Sequence, residues 1–154
     1  VTLVESLIAT VVVGVMLVAA LNTVGAARFA RRNLADAARV HLLAQQLMAE
    51  ITALPYMDPD GLVLVLGPDL LEGLAPGRTG FDDVDDFSGW SASPPMLRDG
   101  TVLTQLSGWR QDDSVNWVDG NALASLLGND SGVKRITVTI RAASGISSPL
   151  RPPG

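Results

Sequence analysis

From Ser6 to Ala27 the chain runs for 22 consecutive residues without a charge. As an α-helix rising ~1.5 Å per residue, this run spans roughly 33 Å. That matches the ~30 Å hydrocarbon core of a bilayer. One carboxylate, Glu5, stands at its head. A carboxylate next to a bilayer-length segment is costly unless something pairs with it. The candidate partner is an amino terminus, and Val1 lies four residues earlier. The run therefore speaks about assembly before it speaks about chemistry.

A secretory signal peptide is the competing reading of such a segment. It requires a basic region in front, a shorter apolar core and a small-residue cleavage site behind. Here Arg28, Arg31 and Arg32 follow the run, and the helical pattern continues through Arg32 without an A-x-A-like break. The positive-inside rule would hold those arginines in the cytoplasm, and the acidic remainder with them. The conflict disappears if a short basic leader is removed before Val1, so the expectation is a processed N-terminus with the head outside.

The chain has 154 residues, of which 47% are hydrophobic, and its mean hydropathy is +0.30. That excess sits mostly in the first 54 residues; the ~100 that remain can bury a modest core. The formal net charge is -5, and the charges are segregated. Arg28, Arg31, Arg32 and Arg39 make a basic stretch, whereas Asp58 to Asp119 is strongly acidic. An acidic head argues against nonspecific nucleic-acid binding, which needs clustered Lys and Arg. The chain has no cysteine. Disulfides and thiolate metal sites are excluded, and a head outside the cell would be held by packing or by an ion.

Val40, Leu43, Leu47, Ile51 and Leu54 recur at steps of three and four, the signature of one apolar helix stripe. Leu34, Ala38 and Leu42 lie on another face. Pro55 disfavours helical geometry at Leu54 and predicts the helix end there. The result is one helix of about 50 residues, against ~11–12 in ordinary globular proteins. Gly14 and Gly25 weaken it locally by about 1 kcal/mol each relative to Ala. After a linker from Pro55 to Gly61, Leu62–Leu66 is predicted as a short strand and Pro68–Pro95 as mostly loop. Thr101–Arg110 and Ser114–Val118 read as a hairpin turning on Gln111-Asp112-Asp113. Asn121–Leu127 reads as a short helix or irregular turn. In Val133–Ala142, Ile136, Val138 and Ile140 alternate with polar residues, which predicts a strand. The tail Ser144–Gly154 reads as exposed coil. The fold class expected is α+β: a long N-terminal helix packed on a small antiparallel sheet. Residues 1–27 form the apolar membrane or filament-core segment, 28–54 its amphipathic continuation, and 55–154 a β-rich head.

Asp82, Asp83, Asp85 and Asp86 place four carboxylates within five residues. Clustered oxygens suit calcium, which takes six to eight ligands. The spacing is not that of an EF-hand, and a solvated acidic loop anchored by Phe81, Phe87 and Trp90 is the plainer reading. His41 is the only histidine, with no second His or Cys to complete a zinc site. Trp109 and Trp117 suit cross-strand packing. Asn129-Asp130-Ser131 matches a glycosylation sequon, making Asn129 a candidate acceptor. No catalytic constellation stands out, and the expectation is that the chain is not an enzyme.

The N-terminal features together resemble the type IV pilin-like superfamily, which includes pilins and type II secretion pseudopilins. The family pattern, F-T-L-x-E before an uninterrupted apolar helix, stands here as Val1-Thr2-Leu3-Val4-Glu5. It covers about a third of the chain. The segment Leu43–Ile51 and the strand Val133–Ile140 look like parts of I-type minor pseudopilins. Val1 stands where Phe is usual, and Asn22 where many members have a kinking proline. The resemblance implies that a prepilin peptidase cuts before Val1 and methylates its amine. It implies a precursor in the cytoplasmic membrane, extraction by an inner-membrane assembly machinery, and a homo-oligomeric extracellular filament with helices at its centre. In that filament Glu5 would pair with the Val1 amine of a neighbouring subunit and fix register. The alternatives are a minor pseudopilin that primes or caps a periplasmic pseudopilus, and, from another class, a single-pass membrane-anchored binding module.

Overall fold

The computed structural model describes residues 2–59, 65–69, 72–143, 145 and, as backbone, 147–150. The chain divides into two compact units, Val1–Asp36 and Ala37–Gly154. The expected α+β architecture is the one observed, with helix α1 spanning Leu3–Thr52 ahead of an antiparallel sheet.

In the first unit every described residue from 2 to 32 is exposed. The helix is unbroken through Gly14, Asn22 and Gly25, and neither glycine has another group within 4 Å of where a Cβ would stand. The two threonine hydroxyls in the apolar run are satisfied within the helix. Thr10 Oγ1 donates to the Ser6 carbonyl and Thr23 Oγ1 to the Ala19 carbonyl, each at 2.9 Å. Such back-bonding lets threonine sit in an apolar helix without an unsatisfied polar group.

In the second unit the rest of α1 buries Val40, Ala44, Leu47 and Ile51, none more than 1% exposed. Val40, Leu47 and Ile51 belong to the predicted stripe; Ala44 joins them, and Leu43 and Leu54 are only partly buried. The helix ends at Thr52, two residues ahead of the position that Pro55 predicts.

The sheet is built from β1 (Ser91–Ala92), β2 (Arg110–Asp119), β3 (Ala122–Leu126), β4 (Lys134–Arg141) and β5 (Ser147–Leu150). Its order is β1-β2-β4-β5, with β3 folded back on the end of β2, and every pairing is antiparallel. Along β2 the inward positions are Gln111, Asp113, Val115 and Trp117, and along β4 they are Ile136, Val138 and Ile140. These inward residues meet in register: Gln111 opposite Ile140, Asp113 opposite Val138 and Val115 opposite Ile136. This face and the helix stripe share one core with Phe81, Val84, Phe87 and Trp109.

Three sequence expectations are corrected. Gln111-Asp112-Asp113 is not a turn but the middle of β2. Its two carboxylates point to opposite faces, Asp112 outward to Arg110 and Arg141, Asp113 inward. The hairpin turn lies instead at Asp119-Gly120-Asn121, where Asp119 Oδ1 accepts from the Asn121 amide at 2.8 Å. Residues 122–126, expected as helix or irregular turn, are the strand β3, and the expected coil tail contains β5. Of the expected strand Leu62–Leu66, residues 62–64 lie outside the described residues, and Val65 and Leu66 form a bend.

Candidate functional site

The head of the apolar helix closes on itself. The Thr2 amide donates to Glu5 Oε2 at 3.4 Å, and the Glu5 amide donates to Thr2 Oγ1 at 3.3 Å. This is the reciprocal capping box of a Thr-x-x-Glu sequence, satisfying two helix-end amides. The carboxylate also sits at the positive end of the helix dipole. Both residues are exposed. Val1, the predicted amine partner and methylation position, lies outside the described residues. The capping signal stands in the sequence as Thr2-Leu3-Val4-Glu5, the T-x-x-E pattern at the head of an apolar run.

The acidic segment does not gather its four aspartates around one point. Asp83 Oδ1 accepts from the amides of Asp85 (2.5 Å) and Asp86 (3.2 Å). Asp86 Oδ2 reaches back to the amides of Asp82 (2.9 Å) and Asp83 (3.1 Å). Two of the carboxylates thus hold a single 3-10 turn, Asp85–Phe87, in place. Asp85 Oδ2 instead pairs with Lys134 Nζ at 2.8 Å. Phe81 and Phe87 anchor the segment in the core edge to face, centroids 5.0 Å apart.

The carboxylates that do converge are Glu72, Asp82 and Asp86, with one oxygen from each within 4.8 Å of the others. Beside them Asp58, Asp69, Glu72, Asp83, Asp85 and Asp86 line a cavity of about 10 Å³, the size of one water. Burial pushes the Asp86 carboxyl up to about 7, and the neighbouring Glu72 side chain adds to the shift. Burial also raises Asp83. These groups can offer a cation hard oxygen ligands of the kind calcium takes. Glu72 was not among the expected ligands, because a loop separates it from the aspartates in sequence.

A second ionic cluster, absent from the sequence reading, lies in the core. Arg78, 2% exposed, donates Nε to Glu50 Oε1 at 3.0 Å and a terminal nitrogen to Glu50 Oε2 at 2.9 Å. Its guanidinium lies 4.3 Å from the centroid of the Trp90 ring. Gly77 makes the approach possible. Its φ is +65°, and a Cβ there would overlap the backbone nitrogen of Gly100. Only glycine lets this segment lie against residues 98–100, where the Arg78 amide donates to the Arg98 carbonyl at 2.8 Å. Asp113 faces the same region from β2.

The remaining candidates are peripheral. Lys134 stacks on the Tyr56 ring at 3.9 Å and donates to the Tyr56 carbonyl, while Tyr56 OH donates to Asp130 Oδ1 at 2.6 Å. Asn129 is exposed beside that contact, and His41 is exposed on α1. Trp109 and Trp117 are both buried.

The fold and the N-terminal run define an α+β chain in which, among the described residues, one helix, Leu3–Thr52, is long and apolar enough to cross a membrane. No family model matches it, and no curated protein or solved structure is significantly similar.

Proposed function

We propose that this chain is a structural subunit of a type IV pilus-like extracellular filament. It is made as a membrane-inserted precursor, cut and methylated at Val1 by a prepilin peptidase, and assembled by packing of its N-terminal helices. The observation that carries the reading is the uncharged helical run 6–27, exposed on every side behind a single carboxylate. An apolar surface of this extent needs lipid or other apolar helices around it. A helix that first lies in the membrane and then packs among copies of itself meets both needs. Ordered β-structure follows it in the second unit, so the run is the only long apolar element the described residues must cover from outside.

The test is assembly. Electron microscopy of sheared surface material should show filaments containing the chain along their length. Replacing Glu5 by Ala or Leu should abolish them while the protein still fractionates with membranes. Normal filament yield from either variant would overturn the reading. Labelling confined to filament tips would assign the chain to the minor, priming class instead.

A further inference from the structure

The core of the second unit holds more carboxylates than cations. Asp113 is 4% exposed, and neither of its carboxylate oxygens has a hydrogen-bond partner among the described residues. Its neighbours are fixed by four elements. From α1 comes Glu50, from the segment after Gly77 comes Arg78, and from the turn before β1 comes the Trp90 carbonyl, which accepts the Asp113 amide at 2.9 Å. From β4, opposite in register, comes Val138, which is 0% exposed. On its own strand Asp112 faces the other way, to Arg110 and Arg141. The one cation in this set that is buried, Arg78, already presents a two-nitrogen fork to Glu50 and a face to Trp90.

One buried and one part-buried carboxylate share one guanidinium, which leaves a net negative charge in a medium that solvates charge poorly. The cost of an ion there is met by neutralisation when no donor is available. Glu50 has its donors; Asp113 has none. We propose that Asp113 is carried as the neutral carboxylic acid in the folded head, so that folding takes up a proton and its loss loosens the Glu50–Arg78 latch between the helix and the segment after Gly77. An ionised Asp113 would draw on the same guanidinium, whose Nε and Nη2 are already committed to Glu50. Burial, opposed only in part by Arg78, pushes the Asp113 carboxyl up to about 8, in agreement with the geometry.

The sign follows from proton linkage. A carboxyl whose folded value lies above its unfolded one stabilises the fold fully below the unfolded value. That stabilisation is lost as pH rises toward the folded value. Between the two, one bound proton makes the unfolding constant rise roughly tenfold per pH unit. The full-length chain in nonionic detergent micelles can be unfolded by urea and followed by tryptophan fluorescence. From about pH 5 to about pH 7, the unfolding constant of wild type should rise roughly 100-fold more than that of Asp113→Asn. The subtraction removes the parallel contributions of Asp83 and Asp86. Superimposable pH profiles would overturn the proposal. Should Asp113→Asn not fold, infrared spectroscopy decides. A neutral carboxylic-acid band that survives Asp83→Asn and Asp86→Asn should persist at about pH 7 and vanish by about pH 10; its absence at the lower pH would equally overturn the proposal.

Discussion

Arg78 shows how much can hang on one side chain. It is 2% exposed, forked onto Glu50 and stacked on Trp90. Truncating one partner of a buried pair leaves the other charge without compensation, which typically costs ~3–5 kcal/mol. Arg78→Met should destabilise by that amount, because it strands the Glu50 carboxylate. Glu50→Gln should cost less, about 1–3 kcal/mol, because Asp113 remains in the field of the same guanidinium and can take up its charge. Urea midpoints of the two variants in micelles check the asymmetry; equal losses would mean that Asp113 does not feel Arg78. Gly77 makes a second test at this scale. Gly77→Ala combines the left-handed φ of +65° with an overlap on Gly100. Gly132→Ala meets φ +80° with nothing within 4 Å and carries the conformational term alone. The expected costs are more than ~2 kcal/mol at Gly77 and about 1–2 kcal/mol at Gly132, read as a difference in thermal midpoint.

Among the elements, the segment from Phe81 to Phe87 is held by its own carboxylates and rings. If calcium joins it through Glu72, Asp82 and Asp86, the ion must compete with the proton that burial favours on Asp86 near neutral pH. Calcium should therefore raise the thermal midpoint of the chain at about pH 8 and do little at about pH 5. Isothermal titration at the two pH values checks it, and no heat or midpoint shift at millimolar calcium ends the calcium reading. The sequence made some elements plain and hid others for identifiable reasons. Helix α1 was legible because its period persists over many turns and Pro55 marks its end to within two residues. Strand β4 was legible because Ile136, Val138 and Ile140 alternate with polar residues. Strand β2 was not, since Gln111-Asp112-Asp113 has the composition of a turn. Only the tertiary partners of Asp112 and the burial of Asp113 let it run straight. Strand β3 has no inward face at all, every residue being exposed, so it left no alternating pattern to read. The Arg78 cluster was invisible for another reason: Glu50 and Arg78 lie 28 residues apart, and nothing local announces that they meet.

Across the whole molecule the proposed division of labour is between an apolar helix that assembles and a folded unit that is carried. Glu5 is the residue on which that division turns, and two explanations of it compete. In one, Glu5 serves its own helix through the Thr2–Glu5 capping box. In the other, its charge meets the Val1 amine of a neighbouring copy in a water-free core. Glu5→Gln separates them. Glutamine keeps the capping geometry, since Gln serves at this position of the box as well as Glu. It discards the charge that an amine would need. If capping is the whole role, Glu5→Gln should assemble normally and Thr2→Ala should impair assembly as much as Glu5→Ala. If charge pairing sets register, Glu5→Gln should fail like Glu5→Leu, and Thr2→Ala should retain most filaments. The pairing outcome is the one expected, because the capping bonds are long, at 3.3 and 3.4 Å, and exposed. In a core without water, by contrast, an unpaired carboxylate would have no solvation to fall back on. Filament yield from sheared cells, normalised to membrane-bound precursor, is the measurement.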